Sequence, residues 1–510
     1  MTTSSLVCIL IAIVVYLLGM IAIGLYYSRK NKKVDDYYLG GRQLGPFVTA
    51  MSAEASDMSG WLLMGLPGLV YIHGIAEASW TAIGLAIGTY LNWLIVAKRL
   101  RNYSARIDAI TIPDFFEKRF RDKKHILLLI SAIVIILFFI PYTASGFSAC
   151  GKLFGTLFGA NYHVAMIISA IVIVAYTTLG GFLAASTTDL IQSIIMSIAL
   201  ITVLGFGIHT AGGWDAVVEN AKSIPSYLAL TTTLDKEGGV TGYGFMTIVS
   251  TLAWGLGYFG MPHILLRFMA IKDAKQISLS RRIASVWVVI AMAVAIVIGM
   301  VGLGMTSAGA LTKLADGETI IVEIAKLLAT HGVFFALLGG LILAGILAST
   351  MSTADSQLLA AASAISQDIA SSATKKPISE KKKMFAARLT VIGIAILGVL
   401  FALDPNSSVF RIVSFAWAGF GATFGPLMLF SLFWKRTNRT GAICGMIVGA
   451  VTVLVWHYIP GGIFALYELL PAFIFSSIAI VVGSLASAEP DAEIIADFEA
   501  AKAGNKYEGA

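Results

Sequence analysis

Three hydroxyl residues, Ser349, Ser352 and Thr353, stand at i, i+3 and i+4, a spacing that puts them on one face of a helix. Ser356 and Ser363 continue the stripe two and four turns further on. Such hydroxyls can bond back to the preceding turn. An aligned row can also offer its oxygens to a small hard cation such as Na+, which favours oxygen ligands as Ca2+ and Mg2+ do. A second group is Ala55-Ser56-Asp57-Met58-Ser59-Gly60, followed by Gly65 and Pro67-Gly68, an acid among small residues inside an apolar stretch. A helix interrupted there frees backbone carbonyls, which need a partner in an apolar medium, and a bound cation is one. A third group is Trp254-Gly255-Leu256-Gly257-Tyr258-Phe259-Gly260-Met261-Pro262, with Trp254 and Tyr258 at i, i+4 and Pro262 at i+8. Aromatics at that spacing usually pack, but at a helix break they become candidates to line a binding site. Tyr142, after Pro141, is a weaker candidate of the same kind. Glu54 is expected nearer the rim, Asp355 off the hydroxyl face, and Asp368 at the inner end of that helix. Asp189 is expected to open a segment at the inner surface, where N-capping is the ordinary alternative.

The elements that must position these groups are membrane helices. Of 510 residues, 57% are hydrophobic and 13% charged, and mean hydropathy is +0.84. Soluble chains carry about twice that charge, so a soluble enzyme and a disordered chain are both excluded. Thirteen stretches are long and apolar enough to span a bilayer. They are Leu6–Tyr26, Pro46–Tyr71, Ser79–Ala97, Ile126–Cys150, Val164–Gly181, Leu190–Ile208, Gly244–Leu266, Ile283–Leu303, Val333–Ile365, Ala386–Leu403, Val409–Trp434, Ala442–Tyr458 and Phe464–Leu485. The first has too long an apolar run and no basic start for a signal peptide. With the N-terminus outside and the C-terminus cytoplasmic, 30 of the 36 basic residues fall on inner segments, as the positive-inside rule requires. The net charge of +7 is thereby explained without nucleic acid.

No soluble domain interrupts the spans. His209 to Tyr243, the longest outer connection, has the composition of a loop with a short surface helix, and the acidic tail begins at Ala486. The second and seventh spans, both interrupted, lie five spans apart. An odd number of spans per unit inverts successive units, so spans two to six and seven to eleven fit an inverted repeat with a site where the leading helices break. Glycines at Gly84/Gly88 and Gly441/Gly445/Gly449 read instead as close helix packing. Three cysteines and seven histidines form no disulfide or metal pattern. Gly146 to Lys152 imitates a phosphate loop, but Leu153 stands where Ser or Thr is needed and no strand precedes it.

With these residues in view, the chain resembles the sodium–solute symporter family, most closely its proline-transporting members. The resemblance covers essentially all thirteen spans. It rests on Gly40-Gly41-Arg42, the run Ala55 to Gly68, Trp254 to Gly260 with Pro262-His263, Arg267-Phe268-Met269, and Met351-Ser352-Thr353. It implies an all-α membrane protein of 13 transmembrane helices with a LeuT-like 5+5 inverted repeat and flanking helices, importing L-proline with Na+ and acting neither as an enzyme nor with an organic cofactor. The organisation expected is a first helix and inner loop (1–43), a first repeat with its outer loop (44–242), a second repeat (243–434), two further helices (435–485) and a cytoplasmic tail (486–510). By the same resemblance, Na+ is held by backbone oxygens of Ala55 and Met58 with Ser349, Ser352 and Thr353. The resemblance also places Asp57 and Arg42 in ion coupling and Ser59, Gly60, Trp61, Tyr142, Trp254, Tyr258 and Pro262 at the substrate site, while Asp189, from its place at the inner surface, is a further candidate for ion coupling. Partners are L-proline and the lipid bilayer of the cell membrane; no protein partner is implied. Other readings are the same coupling with another amino acid, an osmolyte, a vitamin or a sugar, or a membrane-embedded enzyme or sensor.

Overall fold

The computed structural model describes residues 2–29, 34–235, 237–369 and 379–503, so Lys30, Lys32, Lys33, Lys236, Lys375, Lys376 and Lys506, and the side chain of Asp368, lie outside the described residues. Almost everything described is helix. Backbone polar groups in a bilayer must be satisfied within the protein, and apolar runs this long satisfy them as helices. In chain order the main helices are α1 (Thr3–Ser28), α2 (Pro46–Gly60), α3 (Leu66–His73), α4 (Ala76–Arg106), α5 (Ile112–Arg119), α6 (Ile126–Phe158), α7 (Tyr162–Thr210), α8 (Trp214–Ser223) and α9 (Phe245–Leu252). They continue with α10 (Pro262–Ala270), α11 (Ile277–Ser307), α12 (Ile320–Leu328), α13 (Val333–Ser363), α14 (Glu380–Phe401), α15 (Val409–Phe433), α16 (Arg439–Tyr458), α17 (Leu469–Leu485) and α18 (Ala492–Ala503).

Among the described residues, nine helices are long and apolar enough to cross a membrane, and Phe245–Phe259 and Leu469–Leu485 are shorter apolar helices. The stretches Val164–Gly181 and Leu190–Ile208 form one 49-residue run, α7, divided where Gly181 takes φ 65°, ψ −167°. Glycine reaches that conformation without the steric cost other residues meet. The connection from His209 to Tyr243 holds α8 and a small antiparallel hairpin, Thr232–Leu234 with Val240–Gly242.

Both interrupted spans are broken as their composition requires. After α2 the chain turns at Ser59 (φ 34°, ψ −171°), passes through a wide turn at Trp61–Gly65, and resumes as α3. A serine at positive φ is costly and persists only where its surroundings hold it. After α9 a tight 3-10 stretch, Ala253–Phe259, leads to extended backbone at Met261, and Pro262 starts α10. Proline suits that first position because its missing N–H has no partner to lose there.

Glycine lets the broken segments sit close to their neighbours. A Cβ on Gly84 or Gly88 would run into the backbone of Leu252 or Gly255, and Gly441, Gly445 and Gly449 are similarly closed by Ser484, Ile480 and Ala422. At the basic end of the bundle α18 packs on α4. Arg106 meets Asp497 at 2.9 Å, and Arg121 pairs with Glu493 and Asp497. The acidic tail therefore docks on the basic segment that follows the third span.

Candidate functional site

The break after α2 lies against the middle of α13. Ser352 Oγ donates to the Ala55 carbonyl at 2.8 Å, joining residues 297 apart in sequence. It also lies 3.1 Å from the Ser349 carbonyl. The Thr353 hydroxyl donates to the same Ser349 carbonyl (3.2 Å), and Ser349 itself bonds back to Ile346 (2.8 Å). Ala55, Met58, Ser349, Ser352 and Thr353 are all buried. Of the expected stripe, Ser352 therefore bridges to the break and Ser349 and Thr353 satisfy their own helix. Ser363 likewise bonds back, to Ala360 at 2.8 Å.

Asp57 turns away from the hydroxyls and joins the two broken segments to each other. Its Oδ2 accepts from the Tyr258 hydroxyl at 2.5 Å, and its carbonyl accepts from the Tyr142 hydroxyl at 3.3 Å. Ser59 Oγ accepts from the Trp61 N–H at 3.3 Å, steadying the turn. Gly60 is tightly enclosed, since a Cβ there would stand 3.0 Å from that of Ala149. Trp254 sits in an aromatic cluster, with ring centroids 6.2 Å from Trp61, 5.5 Å from Phe410, 6.2 Å from Trp417 and 5.3 Å from Tyr467. Trp417 Nε1 donates to the Trp254 carbonyl at 2.8 Å, and Tyr258 lies edge-on to Trp417 at 5.2 Å. Pro262 lies just beyond, at the start of α10.

Three expectations need correction. Glu54 is not near a rim. It is 1% exposed, and its Oε1 accepts from Thr89 (3.1 Å) and Trp93 (3.0 Å) on α4, because its face of α2 is covered by that helix. Asp189 neither opens a segment nor caps one. The chain turns earlier, at Gly181, which leaves Asp189 eight residues inside the second half of α7 and fully buried. Arg267, counted among the inner-surface bases, is 1% exposed. Its guanidinium meets Asp189 at 3.2 Å, Ser52 at 3.0 Å, the His263 carbonyl at 2.7 Å and Ser356 at 2.5 Å. Ser52 donates to Asp189 at 2.6 Å, Ser356 to Asp355 at 3.0 Å, and Tyr176 to Asp355 at 2.7 Å.

This network ties α2, α7, α10 and α13 together one turn below the Ser352 bridge. Sequence reasoning missed Arg267 as a site residue. The available signal was its place in an apolar run: a cation at membrane depth needs a buried anion, and Asp189 is that anion. Arg42, at the end of the bundle that carries α18, donates to the carbonyls of Met269 (2.8 Å) and Ala109 (2.5 Å) and to Ser104 (3.2 Å). It thereby fastens the exit of α10 to the segment after α4.

The two routes to the site differ. On one side a cavity of about 460 Å3 is lined by Gly65, Lys152, Glu318 and Phe410 among others. Lys152, the base of the phosphate-loop lookalike, is paired there with Glu318 (2.6 Å) and Asp316 (2.9 Å). Glu318 also accepts from Ser408 and the N–H groups of Val409 and Phe410 at the start of α15. On the opposite side Arg267, Ser356, Ser363 and Tyr38 line a cavity of only about 10 Å3, the least space that holds one water.

Comparison with known proteins identifies the architecture. A sodium-coupled sialic acid symporter in a substrate-bound outward-open state superposes with a TM-score of 0.78 at 19% identity, covering 95% of this chain and 99% of that one. A nucleobase-cation-symport transporter, Mhp1, gives 0.55 at 13% identity, over 91% and 98%. These likenesses establish the LeuT-like fold. In sequence, the sodium/proline symporter of Escherichia coli K12 is 44% identical over 500 residues, 97% of this chain and 96% of the relative. The osmoregulated proline transporter OpuE of Bacillus subtilis is 43% identical over 487 residues, 94% and 95% of the two chains. The model of the sodium:solute symporter family matches residues 37–449, and the chain belongs to that family of membrane-embedded transporters.

Proposed function

We propose that this chain imports L-proline together with Na+ by alternating access. The observation that carries the reading is the 2.8 Å bond from Ser352 to the Ala55 carbonyl, which brings a hydroxyl pair of one repeat to the freed backbone of the other. Na+ at this point would be held by the carbonyls of Ala55 and Met58 and the oxygens of Ser349, Ser352 and Thr353, all of a type that suits a hard cation. Holding both helices at once, the ion stabilises the arrangement in which α2, α10 and the aromatic cluster form one pocket. Asp57 acts through Tyr258, linking the ion-bearing break to the aromatic one.

Proline is a compact zwitterion with an apolar ring. Trp254, with Trp61 and Tyr258, presents ring faces to it, and the secondary ammonium gains from an aromatic face. Backbone N–H groups at the break, around Ser59 and Gly60, suit its carboxylate, since helix N-termini carry partial positive charge. Tyr142 and Pro262 complete the walls. The relatives at 43–44% identity, which are proline transporters by name, support this substrate.

Entry is from the side of the 460 Å3 cavity, which the basic-residue distribution assigns to the outside. Release requires α2 and α10 to part from α7 and α13, which breaks the Arg267 network and widens the small inner cavity. Arg42 and Asp189, at either end of that motion, couple it to the ion. The two ligands favour the same state, so each tightens the other by the same factor, and each Na+ carried inward gains about 2.3 kcal/mol per 100 mV. The test is radiolabelled proline uptake into proteoliposomes under an imposed Na+ gradient, with unlabelled competitors and a choline control. Uptake as fast in choline as in Na+ refutes the coupling; displacement by another solute and not by proline refutes the substrate.

A further inference from the structure

A recess of about 630 Å3 lies away from the transport path, between the second half of α7 and the inner half of α11. Ile194, Ile198 and Ile201 line it on α7 and Val286 and Ile290 on α11, all of them exposed. Phe47 and Met51, from the start of α2, join the lining, and α2 packs on both α7 and α11. The polar groups inside are already spent. The Trp287 indole N–H donates to Ser197 at 2.9 Å, tying α11 to α7, and Ser193 bonds back to Leu190 at 2.7 Å. The recess therefore offers apolar surface as far as its inner lip, where Arg282 stands exposed.

These faces look into the bilayer, so lipid covers them, and two features select one kind of lipid. The first is length. The rise along α11 from Arg282 to Val294 is about 18 Å, against about 15 Å for half of the hydrocarbon core. The distribution of basic residues brings α11 in from the inner side, so the recess runs from the inner headgroups to mid-membrane and takes the chains of one inner-leaflet lipid. The second is charge. The segment leading into the recess carries Lys272, Lys275, Arg281 and Arg282 against a single acid, Asp273. Asp273 accepts from the Lys275 N–H at 2.9 Å, and Arg281 lies over the Tyr90 ring at 5.4 Å, which leaves Arg282 to face whatever fills the recess. A basic lip above an apolar slot at the inner surface fits an anionic headgroup with its chains below.

We propose that an anionic phospholipid of the inner leaflet binds here, with its phosphate on Arg282 and its acyl chains against Trp287, Phe47 and Met51, and that it holds the first half of α2 against α7 and α11. The hold on α2 rests on the alternating-access reading above, in which release parts α2 from α7. A lipid that fits the recess only while α2 forms part of it stabilises the closed inner side, by as much as its affinities for the two arrangements differ. One arginine beside such a headgroup favours it over a zwitterionic one by about 5-fold.

Trp287 is a built-in probe, because brominated acyl chains quench an indole that they touch. Purified full-length protein is placed in phosphatidylcholine nanodiscs that contain brominated phosphatidylglycerol or, at the same mole fraction, brominated phosphatidylcholine. The Trp287 signal is the difference between the natural chain and Trp287→Phe. Half-maximal quenching should need about 5-fold less of the anionic lipid; Arg282→Gln should erase that preference and Arg282→Lys should keep it. Equal quenching by the two headgroups makes the recess ordinary lipid contact and overturns the proposal, as does quenching by neither. The hold on α2 is read from a Ser363→Cys reporter in the small inner cavity, with Cys8, Cys150 and Cys444 replaced by alanine, labelled by a water-soluble maleimide. Phosphatidylglycerol should slow the labelling when Arg282 is present and leave it unchanged in Arg282→Gln. Labelling indifferent to the headgroup overturns the hold on α2. Labelling that also ignores Na+ and proline removes the alternating-access reading itself, on which the quenching result does not depend.

Discussion

Replacing Ser352 and Thr353 by alanine probes the one contact on which the ion site depends. Ser352 donates to the Ala55 carbonyl at 2.8 Å and Thr353 to the Ser349 carbonyl at 3.2 Å. To ligate Na+, each hydroxyl turns a lone pair to the ion. Deleting one hydroxyl costs the ion-free protein about 0.5–1.5 kcal/mol, as for a neutral hydrogen bond, and the Na+-bound protein about 1.5–3 kcal/mol, as for a contact with a charge. The difference, about 1–1.5 kcal/mol, is the loss of affinity, and at 1.4 kcal/mol per decade it raises half-saturating Na+ about 5- to 12-fold. If the two sites act independently, the double variant loses about twice the energy, roughly 30- to 150-fold. Thr353→Ser keeps the oxygen and should stay within about 3-fold. The assay is initial proline uptake in proteoliposomes across a Na+ series at constant ionic strength, with proline affinity measured at saturating Na+. Only the Na+ series should move. A double variant with natural Na+ dependence refutes the ion site, and one that loses proline affinity equally at saturating Na+ refutes the division between ion and substrate residues.

Three further outcomes follow from the geometry. Trp254→Ala removes a ring that meets four other aromatics; aromatic and cation–π contacts of about 1–3 kcal/mol imply proline binding about 5- to 150-fold weaker, read by proline binding at saturating Na+, with Na+ half-saturation changed less. Arg267→Met leaves Asp189 buried without its cation, a loss of about 3–5 kcal/mol, whereas Arg267→Met/Asp189→Leu removes both charges; thermal unfolding in detergent should rank natural above double above single, and a single variant as stable as the double refutes the pair. Gly257→Ala puts a methyl group into the Trp417 indole that bonds the Trp254 carbonyl, costing about 1–3 kcal/mol by overpacking, while Gly19→Ala, with open space around it, should leave both unfolding temperature and uptake unchanged.

Much of this molecule is determined by the sequence alone. A chain with so little charge and such long apolar runs must fold as membrane helices, because the lipid offers no partner for an open backbone. The interruptions at Ser59-Gly60 and Gly260-Met261-Pro262 are equally local, since glycine weakens a helix and proline lacks the donor it needs. The i, i+3, i+4 hydroxyl face is likewise a property of α13 by itself. What only the tertiary structure decided is which buried charge meets which. Arg267 reads as one more base beside an inner loop until α7, turned at Gly181, brings Asp189 to it from 78 residues away. Glu54 looks like a rim acid until α4 closes over it with Thr89 and Trp93. Charges act through space while sequence orders them along the chain, and in a medium that cannot solvate them each position acquires its meaning from the neighbour that packing supplies.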